Sequence, residues 1–162
     1  LAGVMKIGSR NARDVLERAS ARETAARVMA GAACQSLLHD FGITVTAHVL
    51  SIGGIDADQP YGEGLRAICN NPGEAVRQRD GSSLYTLDTS NDDEIRSAID
   101  KAKQDGDTLG GSIEIVATGL PPGLGSHNQH DARLDGRIAL ALMSIQAMKG
   151  VEIGMGDRKS VV

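Results

Sequence analysis

The sequence predicts an α+β domain in which helices and strands are mixed along the chain. Three observations carry that expectation. Apolar residues recur at helical spacing in three stretches and at strand spacing in two. Twenty glycines and four prolines among 162 residues punctuate the boundaries of those stretches. The apolar fraction of 41% suffices for one domain with a core. Aromatic residues make up only 2%, so that core must be built from Ala, Val, Ile, Leu and Met.

From about residue 12 to residue 40 the chain carries good helix formers, with apolar positions at Val15, Ala19, Ala26, Ala30, Ala33 and Leu37. Gly42 is a stop signal just past the end, and Cys34 falls on this helix as a small core residue. A strand follows, because Ile43, Val45, Ala47 and Val49 alternate with Thr44, Thr46, His48 and Leu50, and Gly53-Gly54 ends it. Residues 55 to 90 are the least periodic. Pro60, Gly62, Gly64, Asn70, Asn71, Pro72 and Gly73 read as turns, with a short helix near Gly64 to Cys69. A second helix runs from about Asp92 to Gln104, capped by Ser90 or Asn91 and stopped at Gly106, with its apolar stripe at Ile95, Ala98, Ile99 and Ala102. The strand Ser112 to Thr118 turns Ile113, Ile115 and Ala117 inward. After a Gly/Pro loop, a third helix spans about Asp131 to Lys149, and Val151 to Gly154 opens another strand.

Composition narrows the function classes. A formal net charge of −4 argues against a nucleic-acid surface, and the near absence of aromatics leaves few platforms for stacking bases. The two cysteines, Cys34 and Cys69, have no Cys-x-x-Cys spacing, so no zinc site is expected, and free thiols fit a reducing cytoplasm. No apolar run approaches a membrane span. His127 and His130 beside Asp131 superficially resemble metal ligands, but loop histidines are ordinarily solvated. The chain starts in Leu rather than Met and is expected to be a piece of a longer protein.

The run Glu17 to Ala32 carries the clearest chemical signal. Arg18 and Arg22 are four residues apart and share a face on a helix, with the Ser20 hydroxyl between them. Such spacing ordinarily makes a solvated face. Two guanidiniums beside a small hydroxyl also make a site for phosphate or carboxylate groups. Gln146 is one polar residue on an apolar helix, and reads equally as a satisfied interior amide or as a ligand contact.

The order of motifs resembles the chorismate synthase family. Arg18-Ala19-Ser20-Ala21-Arg22-Glu23-Thr24 is similar to the family's central Arg-x-Ser-x-Arg-Glu-Thr motif. Leu1-Ala2-Gly3 looks like the tail of an earlier family segment. Asp105 to Gly111, followed by Ile113 to Val116, matches a Gly-Gly turn and core strand. Gly119 to Ser126, Leu134-Asp135 and Met143 to Gly154 complete the series. The resemblance covers residues 1 to about 156 as a single core domain. Residues 157–162 form a tail that does not fit the pattern.

The resemblance implies a mixed β-α-β sandwich fold, truncated here. It also implies a lyase of the shikimate pathway, in aromatic amino-acid biosynthesis. Such an enzyme eliminates phosphate from 5-enolpyruvylshikimate 3-phosphate with reduced FMN. It further implies NADPH as the source of reducing power, a cytoplasmic location, and a homo-oligomer, tetrameric in the family. Matched residue by residue, Arg18, Ala19 and Ser20, together with Gln146 and Ala147, would touch FMN. Arg22 would face the anionic substrate, and Glu23 would position Arg22 or Arg27. None of His39, His48, His127 and His130 matches the family's two catalytic histidines, so no catalytic residue is assigned and the chain alone is expected to be inactive. The competing expectation is a non-catalytic module that self-associates or binds a phosphorylated ligand through Arg18, Ser20 and Arg22. A general nucleotide-binding domain is disfavoured because no nucleotide motif is complete.

Overall fold

The two stretches of period two pair with one another. A computed structural model describes residues 1–57 and 62–154. In it β1 (Thr44–Ile52) lies antiparallel to β3 (Gly111–Thr118), in a register from Thr44 opposite Thr118 to Ile52 opposite Gly111. An irregularity falls between Val49 and Ser51. There the Val49 N–H donates to the Tyr85 carbonyl, 3.0 Å away. The short β2 (Ile55–Asp56) pairs with the end of β1 and completes a three-stranded sheet in the order β2-β1-β3. Gly119, at φ 74°, follows β3. A Cβ on it would lie 2.1 Å from the Gly42 carbonyl oxygen, so the exit from β3 passes too close to the entry into β1 for any side chain.

The chain divides into two compact units, Leu38–Leu120 and Leu1–Leu37 with the residues from Pro121 onward. The first holds the sheet, and its core is small: Ile68, Ala75, Leu87 and Val116. Helices α4 (Glu63–Asn70) and α5 (Pro72–Gly81) lie against the sheet. Gly64 lets α4 come close, since a Cβ there would stand 2.7 Å from Cε1 of His48. His48 is buried, and its Nε2 is 3.0 Å from Oε2 of Glu114 across the strand pair. Helix α6 (Asp92–Asp105) starts with an acidic turn and stops at Gly106, φ 69°, as its sequence predicts. Asp92 is buried and accepts from Ser82 Oγ at 2.9 Å and Thr86 Oγ1 at 2.7 Å. A carboxylate at a helix start is favoured by the helix dipole, and two hydroxyl donors offset its loss of water.

The second unit contains α1 (Ala2–Ile7), α2 (Arg13–Ala19), most of α3 (Glu23–Asp40) and α7 (Leu134–Met143). None of these helices has a buried residue. Val28 and Met29 on α3 are well exposed, and Cys34 is exposed too, contrary to its expected place in a core. No helix among the described residues is long and apolar enough to cross a membrane.

Four further expectations are corrected. The single helix expected over 12–40 is two, α2 and α3, broken at residues 20–22. Asn71-Pro72-Gly73, read as a turn, opens α5: the Asn71 side chain accepts from the Glu74 N–H and Pro72 takes the first helical position, where no N–H is needed. The phase of β3 is reversed. Val116 is buried and Glu114 half-buried, while Ile113 and Ile115 are 51% and 43% exposed. The face carrying His48 and Thr46 is the one that α4 and α5 cover, and the strand alternation cannot reveal which face receives a helix. No strand forms over 151–154. The turn expected at Pro60 and the tail 157–162 lie outside the described residues.

The reversed phase has a measurable consequence. Ile68→Ala, at a fully buried position, is expected to cost about 2–5 kcal/mol in urea unfolding. Ile113→Ala, on the uncovered sheet face, is expected to cost less than about 1 kcal/mol.

Candidate functional site

The site begins with the entry to α2. Ser9, Asn11 and Asp14 form a local network: Ser9 Oγ donates to Asp14 Oδ2 at 2.7 Å, Asn11 Nδ2 donates to Asp14 Oδ1 at 3.2 Å, and Asn11 Oδ1 accepts from the Arg13 N–H at 3.1 Å. Short polar side chains satisfy the first helical donors in this way. Helix α2 then runs for seven residues and stops at Ala19.

Ser20 is extended, with φ −78° and ψ 152°. Its carbonyl accepts from the Glu23 N–H at 3.1 Å, and its hydroxyl lies 3.5 Å from the Arg22 N–H, so the chain turns here and restarts as α3. Arg18 and Arg22 therefore do not share a helical face as their spacing suggests. Arg22 pairs with Glu17 at 2.6 Å, with both side chains largely in solvent. Arg18 is exposed and has no hydrogen bond or ion pair among the described residues.

The second segment comes from the other end of the chain. Helix α7 ends at Met143, earlier than expected, so Gln146 and Ala147 lie on a turn rather than on a helix. Ala147 has φ 67°, in the left-handed region that a side chain disfavours. Gln146 Nε2 donates to the Ala19 carbonyl at 2.9 Å and to the Ser20 carbonyl at 3.0 Å. The first is a carbonyl at the end of α2, where helix geometry provides no partner, and the second already accepts from the Glu23 N–H. The two segments singled out in the sequence, 127 residues apart at Ala19 and Gln146, thus meet through one side-chain amide.

A cross-link that the sequence does not announce lies beside them. Arg27 Nε donates to Glu23 Oε2 at 2.9 Å, and its Nη1 donates to Ser144 Oγ at 2.8 Å. Of the two arginines that Glu23 was expected to position, it holds Arg27. Its i,i+4 spacing to Arg27 is visible in the sequence; the Ser144 contact, across 117 residues, is not.

The loop after β3 carries less. Gly123, Gly125, His127, Arg133 and Asp135 line an open cleft at the start of α7. Arg133 donates to Asp135 at 2.5 Å, and that hydrogen bond, with a further one from the Gly136 N–H, holds the Asp135 carboxyl below its ordinary range. His127 and His130 are exposed, as is His39 in the last turn of α3.

The sequence model of the chorismate synthase family matches residues 1–161. The chain belongs to the chorismate synthase family. It is 47% identical to the chorismate synthase of Geotalea daltonii and 49% identical to that of Symbiobacterium thermophilum, in each case over 96% of this chain and 38% of the relative. A crystal structure of a chorismate synthase superposes with a TM-score of 0.83 at 45% identity, covering 98% of this chain and 47% of that one. The expected α+β fold of the family is thus the fold of the described residues, helices with a small antiparallel sheet. The chain spans less than two fifths of the length of those curated relatives. A family match of this extent does not favour the competing expectation of a non-catalytic module that self-associates or binds a phosphorylated ligand.

The amide bridge is open to direct test. Gln146→Ala is expected to cost about 0.5–1.5 kcal/mol, the usual net value of such bonds. Gln146→Glu should cost more, because it sets a carboxylate against two carbonyl oxygens. Thermal melts of the three proteins read the order.

Proposed function

We propose that this chain carries the flavin-contacting core of a chorismate synthase, a lyase that eliminates phosphate from 5-enolpyruvylshikimate 3-phosphate with reduced FMN. The observation that supports this best is the Gln146 amide on the Ala19 and Ser20 carbonyls, because it unites the family's two flavin motifs in one unit. In this reading Arg18, Ala19, Ser20, Gln146 and Ala147 hold FMN, and Arg22 meets the anionic substrate.

The residues present fit such a ligand. Arg18 has a guanidinium unengaged among the described residues, suited to an anionic group. Gln146 spends its N–H groups on the backbone and keeps Oε1 as an acceptor for a ring N–H. Ala147, in a strained conformation, is the kind of residue that gathers at ligand contacts. Reduced FMN held by these residues would supply electron density to the substrate as phosphate leaves. Arg22 must exchange its Glu17 partner for the substrate's anion, which makes its contribution dependent on substrate and not on flavin.

The remaining assignments belong to the same proposal: residues 1–156 act as one core, flavin is reduced at the expense of NADPH, and the protein works as a cytoplasmic homotetramer. The uncovered apolar residues of α3 and of the sheet support association.

Anaerobic titration with reduced FMN, with and without 5-enolpyruvylshikimate 3-phosphate, tests the reading. Binding that tightens with substrate is expected. Arg18→Ala should weaken flavin binding about tenfold, the loss of one charge-assisted contact. Arg22→Ala should abolish the substrate effect and leave flavin binding intact. Absence of FMN binding by the wild-type chain would overturn the flavin assignment. The 162-residue chain alone is expected to release no phosphate, and phosphate release would refute that part.

A further inference from the structure

We propose that Arg27 is a positioning residue for the flavin-contacting turn, acting through Ser144. The proposal rests on the reading of residues 18–20 and 146–147 as flavin contacts, but its geometry stands apart from it. Arg27 sits one turn into α3 on the exposed surface, with Nε on Glu23 Oε2 and Nη1 on Ser144 Oγ. Ser144 donates its own proton to the Ala141 carbonyl at 2.6 Å, so its oxygen is left to accept. Arg27 can only donate. Its planar fork serves two acceptors at a fixed angle, which a lysine ammonium does not reproduce.

The turn needs such an anchor. Ser144 closes α7, and two residues later Gln146 reaches the α2 carbonyls. Ala147 follows in a left-handed conformation that persists only where the surroundings over-determine it. The other backbone hydrogen bonds given by Ser144, Ile145 and Met148 are local, to Leu140, Leu142 and Ile145. Among the described residues, the polar tethers from this turn to the 18–27 segment are the Gln146 amide and the Arg27–Ser144 bond. Releasing the second leaves Gln146 to hold the strained turn unaided. Glu23 fixes the Arg27 rotamer, so the family's Arg-Glu-Thr run reaches the flavin turn through Glu23 and Arg27.

Two measurements on the full chain test this. The first is the side-chain amide signal of Gln146 in two-dimensional NMR, identified by its loss in Gln146→Ala. In the wild type its two protons should be well separated and slow to exchange. In Arg27→Ala and in Ser144→Ala they should move to the position of a free glutamine, while Ser144→Thr, which keeps the hydroxyl, should restore the wild-type position. Dispersed backbone signals from α1, α2 and α7 show that the unit carrying the site is folded in each variant. The second is the FMN titration, in which Arg27→Ala and Ser144→Ala should bind about tenfold more weakly and Ser144→Thr normally. An unchanged Gln146 signal in folded Arg27→Ala overturns the proposal, as does unchanged flavin affinity where the wild type binds. If the wild type binds no flavin, the flavin reading fails, and the NMR comparison still decides whether Arg27 positions the turn.

Discussion

The Ala19 carbonyl at the end of α2 has no partner within its helix, and one glutamine amide supplies it while also reaching the Ser20 carbonyl. Much of the second unit follows from that constraint. Helix α2 has to stop at Ala19 for those oxygens to be presented, which separates it from α3. Helix α7 has to end at Met143 for the chain to turn and bring Gln146 round. Ala147 takes a left-handed conformation as the chain leaves that contact. With no buried side chain on these four helices, directed hydrogen bonds and ion pairs carry a share of the order that apolar burial supplies in the sheet unit.

The sheet unit obeys a different logic. Its order comes from strand pairing, from the few aliphatic residues enclosed between sheet and helices, and from the Ser82–Thr86–Asp92 cluster that fixes the start of α6. The low aromatic content is felt here. With one phenylalanine and no tryptophan in the chain, the core is thin, and glycine at position 64 brings a helix close enough to enclose it.

Where local chemistry decides an element, the sequence was legible. β1, α6 and β3 lie within a few residues of their expected positions, and Gly106 stops α6 because glycine takes a left-handed conformation without strain. Where a distant partner decides, it was not. Nothing in Ala19-Ser20-Ala21 marks a break, because the amide that satisfies it comes from residue 146. β3 carries aliphatic residues on both faces, so its alternation does not say which one is covered. Asn71-Pro72-Gly73 carries the residues of a turn and of a helix start alike; the side-chain bond from Asn71 to the Glu74 N–H settles the matter. For the candidate site, the residue types at 18–20 and 146–147 were legible by resemblance. Their meeting, and the part of Arg27 and Ser144 in it, required the fold.

The exposure of both cysteines has a practical side. Cys34 lies on α3 in one unit and Cys69 on α4 in the other, and both thiols are free and accessible. Each unit therefore carries its own chemical handle. A thiol-reactive probe, located by peptide mass, would label the two units separately in a single unmodified chain. The same accessibility leaves both sulfurs open to intermolecular disulfide formation when the chain is handled in air without a reductant.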